Sequence, residues 1–588
     1  METPDEASSL LSASESQSAT SIIVPEEVVL LDAVDPIVLS WKKLTVTANN
    51  GRVLLSDVSG LAQPGELLAL MGASGAGKTT LLNAFLRRNL RGLHVDGDVE
   101  VNGRSIGRRI TTISGYAQQQ EMFIGTLTVR EHLCIQARLR TTFPRERREK
   151  RVDAILSTLG LTKCQHNKIG IAGILKGISG GEARRLVFAC ELLSNPALLF
   201  CDEPTTGLDS FLAEHVVEVL SKLAKTRRTI VCTIHQPASQ LFHMFDKVLF
   251  IANGRTAFYG TPQRCIEFFD DCGHSCPDSY NPADMIIHAL AMVPHDEDAS
   301  RSSITAICDA FESGPHGDSL AQELKKLGCT TVPQGRKQVW IFAQILTLLH
   351  RYTLDNWRNP ALARAKLMQK IIMGLFIGLL YLQTPLTELG ILNIMGALFL
   401  LTGELTYPTL FGILTLLPSD YQLVVKEYHD GMYYIFSYYI ARILSYIPLF
   451  TIDGFLMVYI CYWMIGLSSS LSQILLATLI SFLIEQSAVA FGVMMSSISK
   501  ISTLPSYIGW VQYLSWFRYG FEAFAINQWS HVNGDNTTWS EQRSQEILAH
   551  FSFKERNFWF DIMMMTAFTL IFYLIGYIGL CLRVMNAG

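Results

Sequence analysis

A glycine-rich stretch near the start of the chain decides how its first part folds. It reads Gly72-Ala73-Ser74-Gly75-Ala76-Gly77-Lys78-Thr79. The apolar run Glu66–Met71 before it predicts a strand, and the pattern of Thr80–Arg88 after it predicts a helix. Because a phosphate-binding loop lies between a strand and a helix, we expect the backbone N–H groups of this loop to surround nucleotide phosphates.

The end of this stretch carries the polar side chains of the expected site. We expect Lys78 to pair with the β and γ phosphates of ATP, and Thr79 to be a ligand of Mg²⁺. Thr80 opens the predicted helix and completes the set of residues expected around the phosphates.

Two acidic residues follow a second strand pattern. Leu198–Cys201 is a short apolar run typical of a buried parallel strand, and Asp202 and Glu203 come directly after it. We expect Asp202 to hold Mg²⁺ through water and Glu203 to polarise the attacking water as a general base. The alternative, two acids that cap the next helix, is disfavoured by the apolar run and by the sequence 205–209 that follows.

Two further residues, a histidine and a glutamine, are candidates for the site. His235 comes after the apolar run Thr229–Ile234, where it would contact the γ-phosphate as a catalytic residue. A lone histidine with a purely structural place is the alternative. Gln119 belongs to a run of three glutamines. We expect its side chain to reach Mg²⁺ and relay its presence, with Gln118 as the alternative because the register is open.

A second anion cradle precedes a later helix. It reads Ser179-Gly180-Gly181-Glu182, and a helix N-terminus of this kind is suited to phosphate. The domain already has one phosphate loop, so we expect Ser179, Gly180 and Gly181 to close on an ATP molecule held by a partner domain. The alternative is an ordinary helix cap. Asp209 is also expected at the nucleotide.

The two halves of the chain differ in composition. The chain has 588 residues and a net charge of −4, and long apolar runs with few charges follow residue 360. The charge gives no global basic field, so no nucleic-acid partner is expected. We interpret the basic run Arg138–Arg151 as a solvated helix face. The sequence therefore predicts an α/β phosphate-loop domain followed by an all-α domain that crosses a membrane several times.

The use of cysteine indicates a reducing compartment. Ten of the twelve cysteines precede residue 330 and lie inside predicted strands and helices. We therefore expect reduced thiols in the cytosol. Cys265, Cys272, His274 and Cys276 lie close together, but their spacing fits no familiar zinc site.

Composition also divides the chain into segments. The first residues are rich in serine and lack the basic and apolar regions of a signal peptide. Residues 290–335 are polar, and Trp340–Lys370 is amphipathic and basic, which predicts that this side faces the cytosol. The expected segments are a disordered tail at 1–37, a nucleotide-binding domain at 38–290, a linker with an amphipathic connecting helix at 291–364, and a membrane domain at 365–588.

Five apolar runs are long enough to predict membrane spans. They lie at about 367–383, 391–415, 440–467, 471–498 and 558–582. Tyrosine and tryptophan are frequent at the ends of several runs, as is typical of the membrane interface. An integral, multi-pass protein of the plasma membrane or an organelle membrane is expected.

The motifs and their order resemble a known family. The chain resembles the ABC ATPases at residues 72–79, 179–182, 198–203, 207–209 and 235. Because the ATPase precedes the membrane domain, it looks like the G subfamily of half-transporters, as do residues 125–131, 281–284 and 427–433. Residues 201–210 and 233–237 are most similar to the group of the white, scarlet and brown eye-pigment transporters.

This resemblance implies a machine made of two halves. Two ATP molecules would lie between the ATPase domains of a homo- or heterodimer with another G-subfamily half-transporter. Each ATP would contact one subunit's Lys78 loop and the other subunit's Ser179 motif. Glu427 would lie where members of the family couple the two domains. The implied substrate is a small hydrophobic or amphipathic molecule, such as a pigment precursor, sterol or lipid, beside contacts with membrane lipids.

One segment departs from the pattern of the family, which has six spans in each half. Ser499–Pro505 joins the fourth run directly to residues 513–519, and the gap holds no apolar run that could cross a bilayer. Residues 501–529 would be a poor lipid-facing helix because they include charged residues. With five spans, 500–556 would be cytosolic; with six, Asn536 would be a usable glycosylation site. A shortened, transport-deficient half that binds ATP and regulates a full-length partner is therefore the alternative.

Overall fold

The computed structural model describes residues 34–586 apart from 172, 278–279, 293–295, 360–363, 468–469, 499–515, 530–540 and 552. The expected tail lies almost entirely outside the described residues. Asn536 and most of the segment that departs from the family pattern also lie outside them. Their predicted topology stays a prediction.

Two sheets form the centre of the N-terminal domain. Within the described residues the strands are β1 Leu39–Ala48, β2 Val53–Ala62, β3 Leu67–Met71, β4 Leu93–Val101, β5 Arg104–Ser105, β6 Ser114–Ala117, β7 Leu198–Asp202, β8 Thr229–Thr233, β9 Lys247–Ala252 and β10 Arg255–Gly260. One sheet is antiparallel, in the order β2-β1-β4-β5, and the other has the order β10-β9-β3-β8-β7-β6.

The six-stranded sheet is parallel from β9 to β6. Every residue of β3, β7 and β8 is buried. Strands covered on both faces need continuous apolar runs, which is why these three were recognisable in the sequence. The predicted strands at 66–71, 198–201 and 229–234 agree with the structure to within a residue or two.

Helices cover the two sheets of this domain. They are α1 Lys78–Leu86, α2 Ile110–Ile113, α3 Val129–Arg140, α4 Arg145–Thr158, α5 Gly180–Leu192, α6 Ser210–Lys225, α7 Ser239–Phe242, α8 Pro262–Asp271, α9 Pro282–Ala289, α10 Glu297–Ser313 and α11 Pro315–Lys326. The helix predicted at 80–88 is α1, which begins two residues earlier because Lys78 already has helical geometry.

The structure differs from the predicted linker at the start of the segment 291–364, because most of the residues up to 326 are helical. That segment forms α10 and α11, which pack against β10. Their apolar side chains belong to the core of the N-terminal domain, at Ile304, Ile307, Cys308, Phe311, Leu320 and Leu324. Spacings of three and four residues put these side chains on one helix face, so the domain extends to about residue 326.

The C-terminal half is helical. Its helices are α12 Ile341–Arg358, α13 Ala365–Leu380, α14 Glu388–His429, α15 Ile435–Ile465, α16 Leu471–Ile498, α17 Trp516–Trp529, α18 Glu541–His550 and α19 Phe558–Met585. Within the described residues, α14, α15, α16 and α19 are long and apolar enough to cross a membrane. These four correspond to the second to fifth predicted spans.

The first predicted span coincides with α13, which has 16 residues. At 1.5 Å per residue such a helix is about 24 Å long, less than the roughly 30 Å of a hydrocarbon core. The second span is much longer than predicted: α14 has 42 residues and contains Pro408 and Pro418. Its length of about 63 Å carries it well beyond a bilayer, to the N-terminal domain.

The helix α17 packs inside the helical domain. Most of its side chains are buried, and it contacts α14, α16 and α19. Phe517 packs edge-on against Phe399 of α14, with ring centroids 5.2 Å apart. Trp516 packs against Phe491 of α16 at 5.1 Å. The expectation that this part of the chain is unsuited to face lipid agrees with this buried position.

Candidate nucleotide site and its contact with the membrane helices

The candidate residues meet because four parallel strands end at one edge of the sheet. β3, β8, β7 and β6 are consecutive neighbours, and all run in the same direction. The phosphate loop follows β3, His235 follows β8, and Asp202 and Glu203 lie at the end of β7. Gln118 and Gln119 follow β6. The carboxyl edge of a parallel sheet is where such folds bind ligands.

The phosphate loop requires glycine at two tight positions. Gly72 has φ +146°, and a Cβ there would overlap the carbonyl oxygen of Ile251. Gly77 has φ +110°, and its Cβ would lie 2.6 Å from the side chain of Leu55. Both positions therefore exclude other residues, and the N-terminus of α1 opens onto the loop. A glycine loop at a helix N-terminus suits the phosphates of a nucleotide.

Lys78 folds back over the loop. Its Nζ donates hydrogen bonds to the carbonyl oxygens of Gly72 at 2.8 Å and Ala73 at 3.1 Å. Burial lowers the pKa of Lys78, and the carboxylates of Glu203 and Asp202 oppose this effect. Two backbone carbonyls thus hold the ammonium group of Lys78 at the phosphate loop. A bound phosphate would place a negative charge beside this buried positive charge. Ser74 and Gly75 are exposed, which leaves the loop accessible.

Asp202 is oriented by two hydroxyl groups. Its carboxylate accepts hydrogen bonds from Thr233 at 2.7 Å and from Tyr116 at 3.4 Å. Burial raises the pKa of Asp202, and the hydrogen bond from Thr233 opposes that rise. Asp202 and Thr79 line one cavity of about 440 Å³ together with Gln118 and Gln119. Carboxylate, hydroxyl and amide oxygens are the ligands that Mg²⁺ prefers, so this set fits the ion.

Glu203 is held in an uncommon backbone conformation. Its φ is +47°, a region that residues other than glycine seldom occupy. Its N–H donates to the hydroxyl of Thr233 at 2.9 Å. One carboxylate oxygen accepts from the amide of Gln119 at 2.6 Å and from Thr206 at 3.0 Å. The side chain of Gln119 therefore contacts one of the two acids, and both Gln118 and Gln119 line the cavity.

The second anion cradle lies outside this cavity. Ser179 is exposed and caps α5: its hydroxyl accepts from the N–H of Glu182, whose carboxylate accepts from the N–H of Ser179 at 2.8 Å. Among the described residues, Ser179, Gly180 and Gly181 are not part of the cavity that Thr79 and Asp202 line. Asp209 caps α6 by accepting from Leu212 at 2.8 Å. Ser179 therefore caps α5, and Ser179 and Gly180 are at the same time exposed to solvent.

His235 lies just beyond the end of β8, and Thr80 lies at the start of α1. His235 is exposed, two residues after the end of β8. Thr80 is half-buried in the first turn of α1. Cys265 is buried, and Cys272 and Cys276 are half-buried. No cluster of metal-ligating side chains with three or more His, Cys, Asp or Glu was found among the described residues.

Several residues of the site gave no clear signal in the sequence. Thr233 contacts both acids because its position in β8 is paired with Asp202 in β7. That register could have been inferred from two apolar runs ending at one edge. Tyr116 and Arg184 had no such signal. Arg184 donates to the carbonyl of Gln119 at 2.6 Å, which links the start of α5 to the Gln119 loop.

The membrane helix α14 ends against the nucleotide site. Tyr421, Gln422, Val425, Lys426 and His429 line the same cavity as Thr79 and Asp202. Arg88, which follows α1 and also lines this cavity, donates to Asp430 at 2.8 Å, and both side chains are almost fully buried. The guanidinium of Arg88 also lies over the ring of Tyr116, 5.4 Å from its centre.

A second buried contact joins α3, α12 and α14. Glu427, in the last turn of α14, accepts two hydrogen bonds from Arg351 of α12 at 2.7 and 2.9 Å. Gln136 of α3 donates to it at 3.0 Å and Tyr433 at 2.7 Å. Arg140, which belongs to the basic run interpreted as solvated, is instead buried and pairs with Glu191 at 2.8 Å. These contacts connect the N-terminal domain to the long apolar helices.

Fold and site together define a class: a multi-pass membrane protein whose N-terminal domain is built to hydrolyse nucleoside triphosphates. Comparison with known proteins agrees. Residues 55–206 match the family model described as "ABC transporter". Residues 343–501 match "ABC-2 type transporter", and a further model of that description matches 235–308.

Relatives cover almost the whole chain. It is 46% identical to "ABC transporter ATP-binding protein/permease wht-3" of Caenorhabditis elegans, over 94% of this chain and 95% of that protein. It is 37% identical to "Protein white" of Drosophila melanogaster, over 90% and 83% of the two chains. It is 36% identical to "Protein scarlet" of the same organism, over 92% and 88%. The chain therefore belongs to the G subfamily of the ABC transporters, and it is an ATPase whose hydrolysis is coupled to transport.

Proposed function

We propose that this ATP-driven transporter works as a half-transporter and that each of its two ATP molecules is shared between two chains. The observation that carries this proposal is the exposed position of Ser179 and Gly180. They present a phosphate-capable helix N-terminus outside the cavity that Thr79 and Asp202 line. Such a surface has a use when it closes on the nucleotide of a second subunit, which is either a copy of this chain or another G-subfamily half-transporter.

In this proposal each residue at the edge of the sheet has one task. The loop 72–77 and Lys78 bind the phosphates, and Thr79, Asp202 and Gln119 would hold Mg²⁺, which neutralises phosphate charge when bound. Glu203 takes a proton from the attacking water. The hydrogen bonds from Gln119 and Thr206 to one oxygen of Glu203 fix the orientation of this carboxylate.

His235, exposed at the same edge, contacts the γ-phosphate. Asp209, at the start of α6, joins the nucleotide contacts when the dimer closes.

The proposed substrate is a small hydrophobic or amphipathic molecule of the pigment precursor, sterol or lipid class. The resemblance to the eye-pigment group supports this class, and the membrane is the plasma membrane or that of an organelle. The relative in Caenorhabditis elegans is named a permease, and this supports transport over the regulatory alternative.

Mixed pairs of variant subunits test whether the ATP site is shared. One arrangement puts Lys78→Ala on one copy and Ser179→Arg on the other, which leaves one complete site. The matched control puts both changes on the same copy and pairs it with an unchanged copy, which leaves none. We expect ATP hydrolysis by purified, differentially tagged pairs to be higher in the first arrangement. Equal rates would contradict a shared site.

The role of Glu203 is tested separately. Glu203→Gln should abolish turnover of ATP while nucleotide-bound dimers still form, as measured by nucleotide trapping and size-exclusion chromatography. Thr206→Val is the matched control, because it removes a hydrogen bond to the same oxygen without removing the carboxylate. Retained hydrolysis in Glu203→Gln would exclude this residue as the base.

A further inference from the structure

The loop that carries His235 is fastened to the domain on both sides of that residue. Before it, the N–H of Ile234 donates to the carbonyl of Leu70, in the strand that leads into the phosphate loop, at 3.0 Å. After it, the carbonyl of Pro237 accepts a hydrogen bond from the side-chain amide of Asn281 at 2.8 Å. Proline has no N–H, so this carbonyl is the backbone polar group with which Pro237 can hold the loop.

The side chain of Asn281 uses every polar group that it has. Its Oδ1 accepts from the N–H of Ala283 at 3.1 Å and caps α9. Its Nδ2 donates to Pro237 and also to the carboxylate of Asp284, at 2.9 Å. An asparagine provides one acceptor and two donors. Aspartate keeps the acceptor and lacks the donors, and serine keeps a cap but is shorter by one atom.

Asn281 caps α9, and this helix is anchored in the core of the domain. Ile286 is fully buried, and Ile287 and Leu290 are almost fully buried in the core of the domain. The contact itself borders open space: Gln236 and Pro237 of the loop and Asn281 of α9 line one cavity of about 330 Å³. Without the hydrogen bond from Asn281, the loop would have room to shift into this space.

We propose that Asn281 is a positioning residue for ATP hydrolysis. It holds the carbonyl of Pro237 from a rigid helix and thereby fixes the place at which His235 meets the γ-phosphate. Asn281 acts through the loop and not on the nucleotide. The inference rests on the function proposed above, in which His235 contacts the γ-phosphate.

A double-variant cycle on the purified full chain tests this role. Asn281→Ser retains an N-cap acceptor for α9 and loses the donor to Pro237. We expect kcat for ATP hydrolysis to fall about tenfold, since a small misplacement of a reacting group is enough for such a loss, with KM for ATP unchanged. In the His235→Ala background, Asn281→Ser should cause no further loss.

Two controls separate positioning from stability. Thr261 caps α8, which also begins with proline, by accepting from the N–H of Arg264. Thr261→Ala should therefore weaken a comparable cap and leave kcat unchanged. Binding of a fluorescent ATP analogue shows that each variant is folded, and Asn281→Asp replaces Asn281→Ser if the latter fails this check.

The outcomes separate the two proposals. If His235→Ala leaves kcat unchanged, the role proposed for His235 is wrong, and the role of Asn281 falls with it. If His235→Ala lowers kcat while Asn281→Ser has no effect, or multiplies its effect with that of His235→Ala, the role of Asn281 alone is overturned. A fall in kcat on Thr261→Ala equal to that on Asn281→Ser would reduce Asn281 to an ordinary helix cap.

Discussion

Arg351 and Glu427 form a buried ion pair, and removing only one of the two charges should strongly destabilise the protein. Arg351 is fully buried, the side chain of Glu427 is 3% exposed, and four hydrogen bonds converge on the carboxylate. Glu427→Gln keeps the shape of the side chain and removes its charge, which leaves the guanidinium of Arg351 buried without a counter-ion. Breaking a buried pair in this way costs about 3–5 kcal/mol.

The cost can be read as a melting temperature. A loss of 1 kcal/mol shifts Tm by about 2–4 °C in a unit of roughly 200 residues. Glu427→Gln should therefore lower the Tm of the detergent-solubilised protein by roughly 6–20 °C, measured by intrinsic fluorescence. Replacing both partners, with Arg351→Met and Glu427→Met together, should recover most of this loss, because no buried charge is left unpaired.

An exposed pair of the same length provides the matched control. Arg145 and Glu149 are 2.8 Å apart, with side chains that are 77% and 46% exposed. Solvent screens such a pair, so Glu149→Gln should leave Tm unchanged. The reasoning is refuted if Glu427→Gln and Glu149→Gln shift Tm equally, or if the double variant at 351 and 427 melts lower than Glu427→Gln alone.

Three further outcomes are expected. Gly72→Ala should abolish binding of a fluorescent ATP analogue, because its Cβ would overlap a backbone oxygen of β9; unimpaired binding would contradict the loop geometry. Hydrogen bonds from Arg358 lower the pKa of Glu131 from 4.5 to about 2. The stability gained from the charged carboxylate of Glu131 is thus present above pH 4.5 and lost as the pH falls towards 2. The difference in Tm between the native chain and Glu131→Gln should therefore shrink across that interval. A constant difference would contradict the stabilising role of this carboxylate. Gly454→Ala should lower Tm because its Cβ would meet a buried carboxylate of α16, whereas Gly403→Ala, whose nearest neighbour is an aromatic carbon 3.9 Å away, should not.

The parts of the site that could be predicted are those that depend on neighbouring residues in the chain. The phosphate loop, the acids after β7 and His235 after β8 each follow a buried strand, and parallel strands bring their ends together. That Gln119 donates to Glu203 could not be predicted from the sequence, because the register of the three glutamines depends on the folded loop.

The parts that could not be predicted depend on residues far apart in the chain. Arg140 looked solvated because it belongs to a basic run, but Glu191, 51 positions away in the chain, pairs with it. Arg88 and Asp430 are separated by 342 positions. The polar composition of 290–335 concealed the apolar faces of α10 and α11, which show only when spacings of three and four residues are followed. Asn281 was recognisable in the sequence as part of a family motif, but its hydrogen bond to Pro237 could not be predicted.

The length of α14 has a mechanical consequence. This one helix runs from Glu388 to the cavity beside Thr79 and Asp202, so it can act as a lever arm with one end at the candidate nucleotide site. A tilt of about 5° over its length of about 63 Å would displace the far end by about 5 Å. Pro408 and Pro418, which each remove a backbone hydrogen bond, are the points at which this lever can bend. A movement of α14 at the nucleotide site would displace its far end. The size of that displacement would depend on how stiff the helix is between these two prolines.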